Sequence, residues 1–303
     1  MPVSTSQVSS IAHNASQTSS RRVGVEIEFV DLSVRDAAFA LERRFGGQLV
    51  EEDPQAFHLI GSRLGAMRVE LDVRHVHPGR GAGNPLAGLP RRLTTALGSL
   101  LAPFVPREII IGPLERSELD GVDEVVATLR AAGASGDGTT LLDSLGLHFN
   151  IAQPSEDERE IVATFKAFLT LEPELRRANG EGVLTRLHAP PPYPPAYVRR
   201  VLAPDYWPDL ETFRHDYLAA NPTRKRSLDL LPLLLHFHAG TSLPRFAGKV
   251  RPRPAFHYRL PLARVGRPGW TIAADWERWT EVERLAAEIA AAAPRREAGP
   301  GPR

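Results

Sequence analysis

The chain has 303 residues, enough to bury a sizeable core, and with 42% hydrophobic and 24% charged residues it falls with soluble folded chains, not with disordered or membrane ones. Its 37 Lys and Arg against 36 Asp and Glu leave a net charge of +1, which gives no global field for nucleic acid or an anionic membrane, so any anion binding must be local. The absence of cysteine removes disulfides, thiolate nucleophiles and zinc–thiolate sites together, and it agrees with a cytoplasmic location.

Residues 1–20 are polar, lack the basic start and apolar run of a secretory signal, and read as a disordered tail. "RRVGVEIEFVD" (21–31) then reads as a strand: Val25, Ile27 and Phe29 share one face, while Glu26 and Glu28 share the other, roughly 6.6 Å apart. Carboxylates that close repel unless a cation lies between them or water bathes them. A helix over "SVRDAAFALERRFGG" is closed by its glycines. "MRVELDVRHV" (67–76) alternates Met67, Val69, Leu71 and Val73 against Arg68, Glu70, Asp72 and Arg74, a second strand with carboxylates on one face. The glycine-rich "HPGRGAGNP" (77–85) lacks the Lys-Ser/Thr pair of a P-loop. A helix follows over "LAGLPRRLTTALGSLLAPF".

"REIIIGPLE" (107–115) reads as a strand beginning at Glu108 and stopped by Gly112 and Pro113, and "VDEVVATLRAAGA" as a helix. "LGLHFNIA" (145–152) sets Leu147, Phe149 and Ile151 against His148 and Asn150, before a helix over "SEDEREIVATFKAFLTL". The Pro-rich "RLHAPPPYPPAYVRRVL" (186–202), with Tyr193 and Tyr197, reads as a rigid surface connection or as a lip on a pocket. After a helix over "DLETFRHDYLAA", the segment "NPTRKRSLDLL" (221–231) places Arg224, Lys225 and Arg226 beside an apolar run, as a basic surface helix start or a phosphate-binding cluster. "LDLLPLLLHF" is interrupted by Pro232 and falls short of the ~20 residues of a membrane span. "AFHYRLPL" (255–262) sets Phe256, Tyr258 and Leu260 against His257 and Arg259, with Pro261 ending the strand. A helix over "DWERWTEVERLAAEIAAAA" precedes a second loose tail at 291–303.

Strands with one apolar face interspersed with helices predict an α+β domain over residues 21–290, built on a mainly antiparallel sheet with helices on one side. The opposite side would carry Glu26, Glu28, Glu70, Asp72, His148, Asn150, His257 and Arg259. An ordinary wet sheet face favours Thr, Lys and Ser, whereas this one concentrates groups that bind metal and phosphate. Several carboxylates with imidazole suit Mg²⁺ or Mn²⁺, held together with substrate phosphates, which points to a nucleotide. The chain has no H-x-E or H-E-x-x-H signature of a metal-dependent hydrolase and no G-x-S-x-G elbow.

Taken in order, "GVEIEF", "REIIIGPLE" with "VDEVVATLRAAGA", "LGLHFNI", "NPTRKRSLDLLPLL" and "FHYRLP" resemble the amidoligases, which belong with glutamine synthetase and glutamate-cysteine ligase among the carboxylate-amine ligases. The resemblance implies a glutamine synthetase-like sheet and an ATP- and Mg²⁺-dependent ligase that forms an amide through an acyl phosphate. It implies that Glu26, Glu28, Glu108 and His148 hold metal, with Glu70 and Asp72 as further candidates. Arg259 is expected at the transferred phosphate, with Glu28 and Arg224 beside it in the catalytic group. Asn221, Arg224, Arg226, Arg259 and Asn150 are expected at the nucleotide. The substrates implied are an amino acid, peptide or cell-wall-type carboxylate and an amine or ammonia, the latter supplied in some relatives by a glutamine amidotransferase. Two positions depart from the pattern: Asn150 stands where many relatives have a second histidine, and His257 where the wider superfamily often has a glutamate. The alternatives on the same scaffold are a phosphotransferase and a non-catalytic module with a decayed site.

Overall fold

The computed structural model describes residues 21–72, 105–140, 144–180, 182–237 and 250–294. The predicted strand beyond Asp72, the glycine-rich stretch 77–85, the helix expected at 86–104 and most of both predicted tails lie outside the described residues.

The described strands form one eight-stranded sheet in which every pairing is antiparallel. They are β1 (Val23–Phe29), β2 (Gln48–Asp53), β3 (Ala56–Ser62), β4 (Gly65–Leu71), β5 (Arg107–Leu114), β6 (Leu147–Ala152), β7 (Leu228–Asp229) and β8 (Ala255–Tyr258). Their order across the sheet is β2-β3-β4-β5-β1-β6-β8-β7, so the chain's first strand lies near the middle, between β5 and β6.

The alternation read from the sequence decides the two faces. Val25 and Ile27 pair with Ile111 and Ile109 on one side and with Phe149 and Leu147 on the other, and all six are buried. That apolar face is covered by α1 (Val34–Phe45), α2 (Asp120–Ala131), α3 (Glu158–Ala178) and α8 (Ala273–Ala292). Aromatic rings carry the contact under β6 and β8: Phe149 lies 5.6 Å from Trp276, Tyr258 5.3 Å from Trp279 and 5.8 Å from Phe168. Each such buried side chain contributes about 1.5–3 kcal/mol, which helps to offset the cost of a carboxylate-rich opposite face.

Ser33 caps α1 by accepting the Asp36 N–H at 3.1 Å, and Gly46, at φ 69°, ends it in a backbone conformation that only glycine adopts readily. The remaining described helices are α4 (Val183–His188), α5 (Pro195–Leu202), α6 (Leu210–Ala220) and α7 (Leu231–Phe237). None of the described helices is long and apolar enough to cross a membrane.

Several boundaries differ from expectation. β5 is not stopped at Gly112 and Pro113 but continues to Leu114, because the register against β1 shifts between Val23 and Val25 and absorbs an extra residue. Gly112 permits this: at φ 96° its missing Cβ would stand 2.7 Å from the Leu114 nitrogen and 3.0 Å from the Val23 oxygen. α3 runs through Pro173 to Ala178, well past the predicted end. α8 (Ala273–Ala292) starts two residues before the predicted helix and ends within one residue of its predicted end. The strand at 255–262 ends at Tyr258, and the 145–152 strand starts at Leu147. "NPTRKRSLDLL" is not a helix start: its basic residues lie in a loop that leads into the two-residue β7. The segment 186–202 lies largely at the surface, as read, but is anchored to the core by Tyr193 and Tyr197, which are buried against Phe165 at 5.5 and 6.2 Å.

Candidate active site

The register brings the polar residues into rows across the sheet. Glu28 pairs with Glu108, and Glu108 pairs in turn with Glu70, so three buried carboxylates from β1, β5 and β4 stand side by side. In the next row Glu26 pairs with His148. Beyond it, Gly24 pairs with Asn150, Asn150 with His257, and His257 with Asp229. Glu26, Glu28, Glu70, Glu108, His148, Asn150 and His257 therefore share one face, as the alternation predicts. Asp72 sits just past the end of β4 and is exposed.

Glu26 is the most connected of these side chains. Its Oε1 accepts a hydrogen bond from Asn150 Nδ2 at 2.7 Å, and its Oε2 lies 3.2 Å from His148 Nδ1 and 3.5 Å from His257 Nε2. Burial opposes the charge on Glu26, but the contacts with His148 and His257 outweigh it and hold the carboxyl well below the usual range. Burial pushes His257 down to about 3, so its imidazole is neutral with a lone pair available.

Its neighbours on the same face go the other way. Burial raises Glu28 to about 7, against the pull of His148 and of the Gly146 N–H, which donates to Glu28 Oε2 at 2.8 Å. Glu108 is pushed well above the carboxylate range by burial and then by Glu26, Asp72, Glu28 and Glu70. Glu70 has an arginine beside it, Arg68 Nε at 2.8 Å from its Oε2. This crowding of negative groups is what a bound cation would relieve. Two sets of three donors already lie within 4.8 Å of one another: Glu26, His148 and His257, and Glu28, Glu108 and His148. The residues present thus fit a divalent metal.

Positive groups gather at the other end. The Arg259 N–H donates to the Ser227 carbonyl at 2.8 Å, and the charge of Arg259 bears on both Glu28 and Asp229. Asp229 is itself buried, raised by that burial to about 6, and faces the charges of Arg259, Arg224 and Arg253. Arg224 and Arg259 therefore flank one corner of the site. Asn221 and Arg226 do something else. Arg226 donates through Nε to Asn221 Oδ1 at 2.9 Å and through Nη1 to the carbonyls of Pro191 and Pro192, and it lies 5.4 Å over the Tyr193 ring. Asn221 donates to the Tyr217 carbonyl at 3.1 Å. The structure thus places both in a clasp between the basic loop and the Pro-rich segment, with these polar atoms bonded to protein.

Sequence reasoning passed over three residues of this region. Gly146 lies so close to His148 that a Cβ there would stand 2.3 Å from its Nε2. Arg253 donates to Asn150 Oδ1 and so extends the chain of contacts from Glu26. Asp229 was hidden in "LDLLPLLLHF", where a lone acid in an apolar run was the available signal.

The chain matches the family described as "Putative amidoligase enzyme" over residues 19–281. No curated protein matches it.

Proposed function

Because the chain belongs to the amidoligase family, we propose that it is an ATP- and Mg²⁺-dependent carboxylate-amine ligase working on a sheet of the glutamine synthetase type. In such a reaction the γ-phosphoryl group of ATP passes to a substrate carboxylate, and an amine or ammonia then displaces phosphate to leave an amide. The observation that carries this reading is the polarity of the sheet face: a row of buried carboxylates, Glu28, Glu108 and Glu70, with the charge of Arg259 bearing on Glu28 and those of Arg259 and Arg224 on the buried Asp229.

In this reading Glu28 and Glu108, with Glu70 beside them, hold the Mg²⁺ that shields the phosphate oxygens. Arg259 and Arg224 stabilise charge on the transferred group through planar guanidinium contacts. The clasp of Arg226 and Asn221 fixes the loop that carries Arg224. No side-chain nucleophile is required, in keeping with a chain that has no cysteine. The substrate class favoured is an amino acid, peptide or cell-wall-type carboxylate, with ammonia delivered by a glutamine amidotransferase as one source of nitrogen.

The test is a screen of phosphate release from ATP with Mg²⁺ against pairs of carboxylates and amines, with products read by mass spectrometry. An amide product supports the ligase. A phosphorylated acceptor without an amide would replace it by a phosphotransferase, and no turnover with any pair would count against catalysis.

A further inference from the structure

We infer that a cavity at the C-terminal end of α3 binds a small organic anion, and that its occupant steadies the loop carrying Arg224. The cavity has a volume of about 300 Å³ and is walled by the last turn of α3, by α4 with Ala189 and Pro190, and by Leu260 and Leu262. α3 packs on the apolar side of the sheet, with Phe168 against Tyr258, so the cavity lies apart from the carboxylate face.

The lining is one-sided in charge. Arg176, Arg177 and Arg186 bring guanidinium groups, Asn179 a carboxamide and Thr185 a hydroxyl, and no Asp or Glu stands among the described lining residues. Arg176 is held in place, donating through Nε and Nη2 to Glu172 Oε1 at 3.0 and 2.6 Å and through Nη1 to the Pro190 carbonyl at 2.8 Å. Arg177 meets Glu174 at 3.8 Å in an exposed pair that water weakens. The dipole of α3 accounts for basic residues in its last turn, but not for a hollow with a floor of buried leucines between them and a third arginine from another helix. Guanidinium groups above an apolar floor suit a carboxylate or phosphate carried on a short hydrocarbon body.

Two bonded routes run from the cavity wall to the active face. Glu172 Oε1, which holds Arg176, also accepts the Ser227 hydroxyl at 2.5 Å, and the Ser227 carbonyl takes the Arg259 N–H at 2.8 Å. Pro190, bonded to Arg176, leads into Pro191 and Pro192, whose carbonyls accept from Arg226 of the basic loop. A ligand that bridges the end of α3 to the 186–190 segment ties both routes together at their origin, and so favours the loop in its bonded arrangement.

The test is calorimetric titration of the full-length protein, free of nucleotide and metal, with hexanoate, phenyl phosphate, inorganic phosphate and 1-hexanol. One site per chain is expected for hexanoate or phenyl phosphate, about tenfold or more tighter than for inorganic phosphate because the hydrocarbon body is buried, with no binding of 1-hexanol. The tighter of the two organic anions identifies the head group. Arg186→Ala is expected to weaken that binding about fivefold or more, and Ala189→Leu, which fills the cavity and leaves its charge alone, to abolish it. With ligand at saturation, amide hydrogen exchange at Arg259 and through residues 223–229 is expected to slow about threefold or more. Absence of binding by both organic anions, inorganic phosphate binding as tightly as either, or undiminished binding in a folded Ala189→Leu variant would each overturn the site, and unchanged exchange at saturation would overturn its link to the loop. Should Ala189→Leu fail to fold, Arg186→Ala decides, and undiminished binding there overturns the site. None of these readouts uses ATP: amide formation without anion binding would sink this inference and leave the ligase reading intact, and anion binding without turnover would do the reverse.

Discussion

Glu28 and Glu108 stand directly opposite each other across the β1–β5 ladder, both buried, with no basic residue between them in their row. Like charges in that arrangement oppose folding unless a proton or a cation joins them.

Glu28→Gln keeps the shape and removes one charge. Metal-dependent ATP turnover is expected to fall roughly a hundredfold or more, while the metal-free protein melts at the same temperature or higher. Thermal melts with and without Mg²⁺-ATP, run beside phosphate release, read both halves. A variant that is less stable without metal yet still turns over would make Glu28 a structural acceptor for Gly146.

The same residue sets a pH dependence. Its folded value of about 7 lies above the ordinary 4.5, so the fold favours the neutral carboxyl; that stability is fully present below about pH 4.5 and is lost as pH rises to 7. His257, lowered from 6.5 to about 3, works in the opposite direction, costing stability as pH falls below 6.5. Comparing the unmutated protein with Glu28→Gln cancels the histidine. In chelator, their stability difference is expected to be near zero at pH 4.5 and to reach about 3 kcal/mol against the unmutated protein by pH 7. Urea titrations across that window measure it, and a flat difference would remove Glu28 from the strained set.

The two arginines of the basic loop are expected to separate cleanly. Arg226→Lys loses the fork that joins Asn221 to the proline carbonyls and is expected to cost about 1–3 kcal/mol of stability. Arg224→Lys is expected to weaken nucleotide use by more than any loss of stability, because a point charge cannot replace a planar guanidinium. Unchanged ATP affinity and turnover in Arg224→Lys would return Arg224 to a purely structural account.

Gly146→Ala tests the close approach of backbone to ring. The new methyl would meet His148 Nε2, so the imidazole must swing away. Metal affinity is expected to drop about tenfold or more with only a small loss of stability, read by calorimetric titration beside a thermal melt. Full affinity in the alanine variant would show that His148 has room to place its nitrogens another way.

What could be read in advance was local. Alternation in "GVEIEF" and "LGLHFNI" fixed which side chains share a face, and helices with clear apolar periodicity appeared close to their expected places. The β2–β3 hairpin escaped because "QLVEED" is mostly exposed and lacks alternation. The role of Arg226 escaped because its carbonyl partners lie in a distant Pro-rich segment whose tyrosines turn inward, and that of Asn221 because it acts on Arg226. Gly146 reaches Glu28 and Arg253 reaches Asn150 only because strand pairing brings together residues 118 and 103 positions apart.

That pairing has one more consequence. Side chains change face with every residue of a strand, so a slip of one position between β6 and β1 would turn His148 and Asn150 into the apolar layer and Phe149 out to the polar side. A donor set divided among β1, β6 and β8 can assemble only when all three are in step. An ion seated there would act as an inspector of the fold, clamping chains that zipped correctly and passing over those that did not.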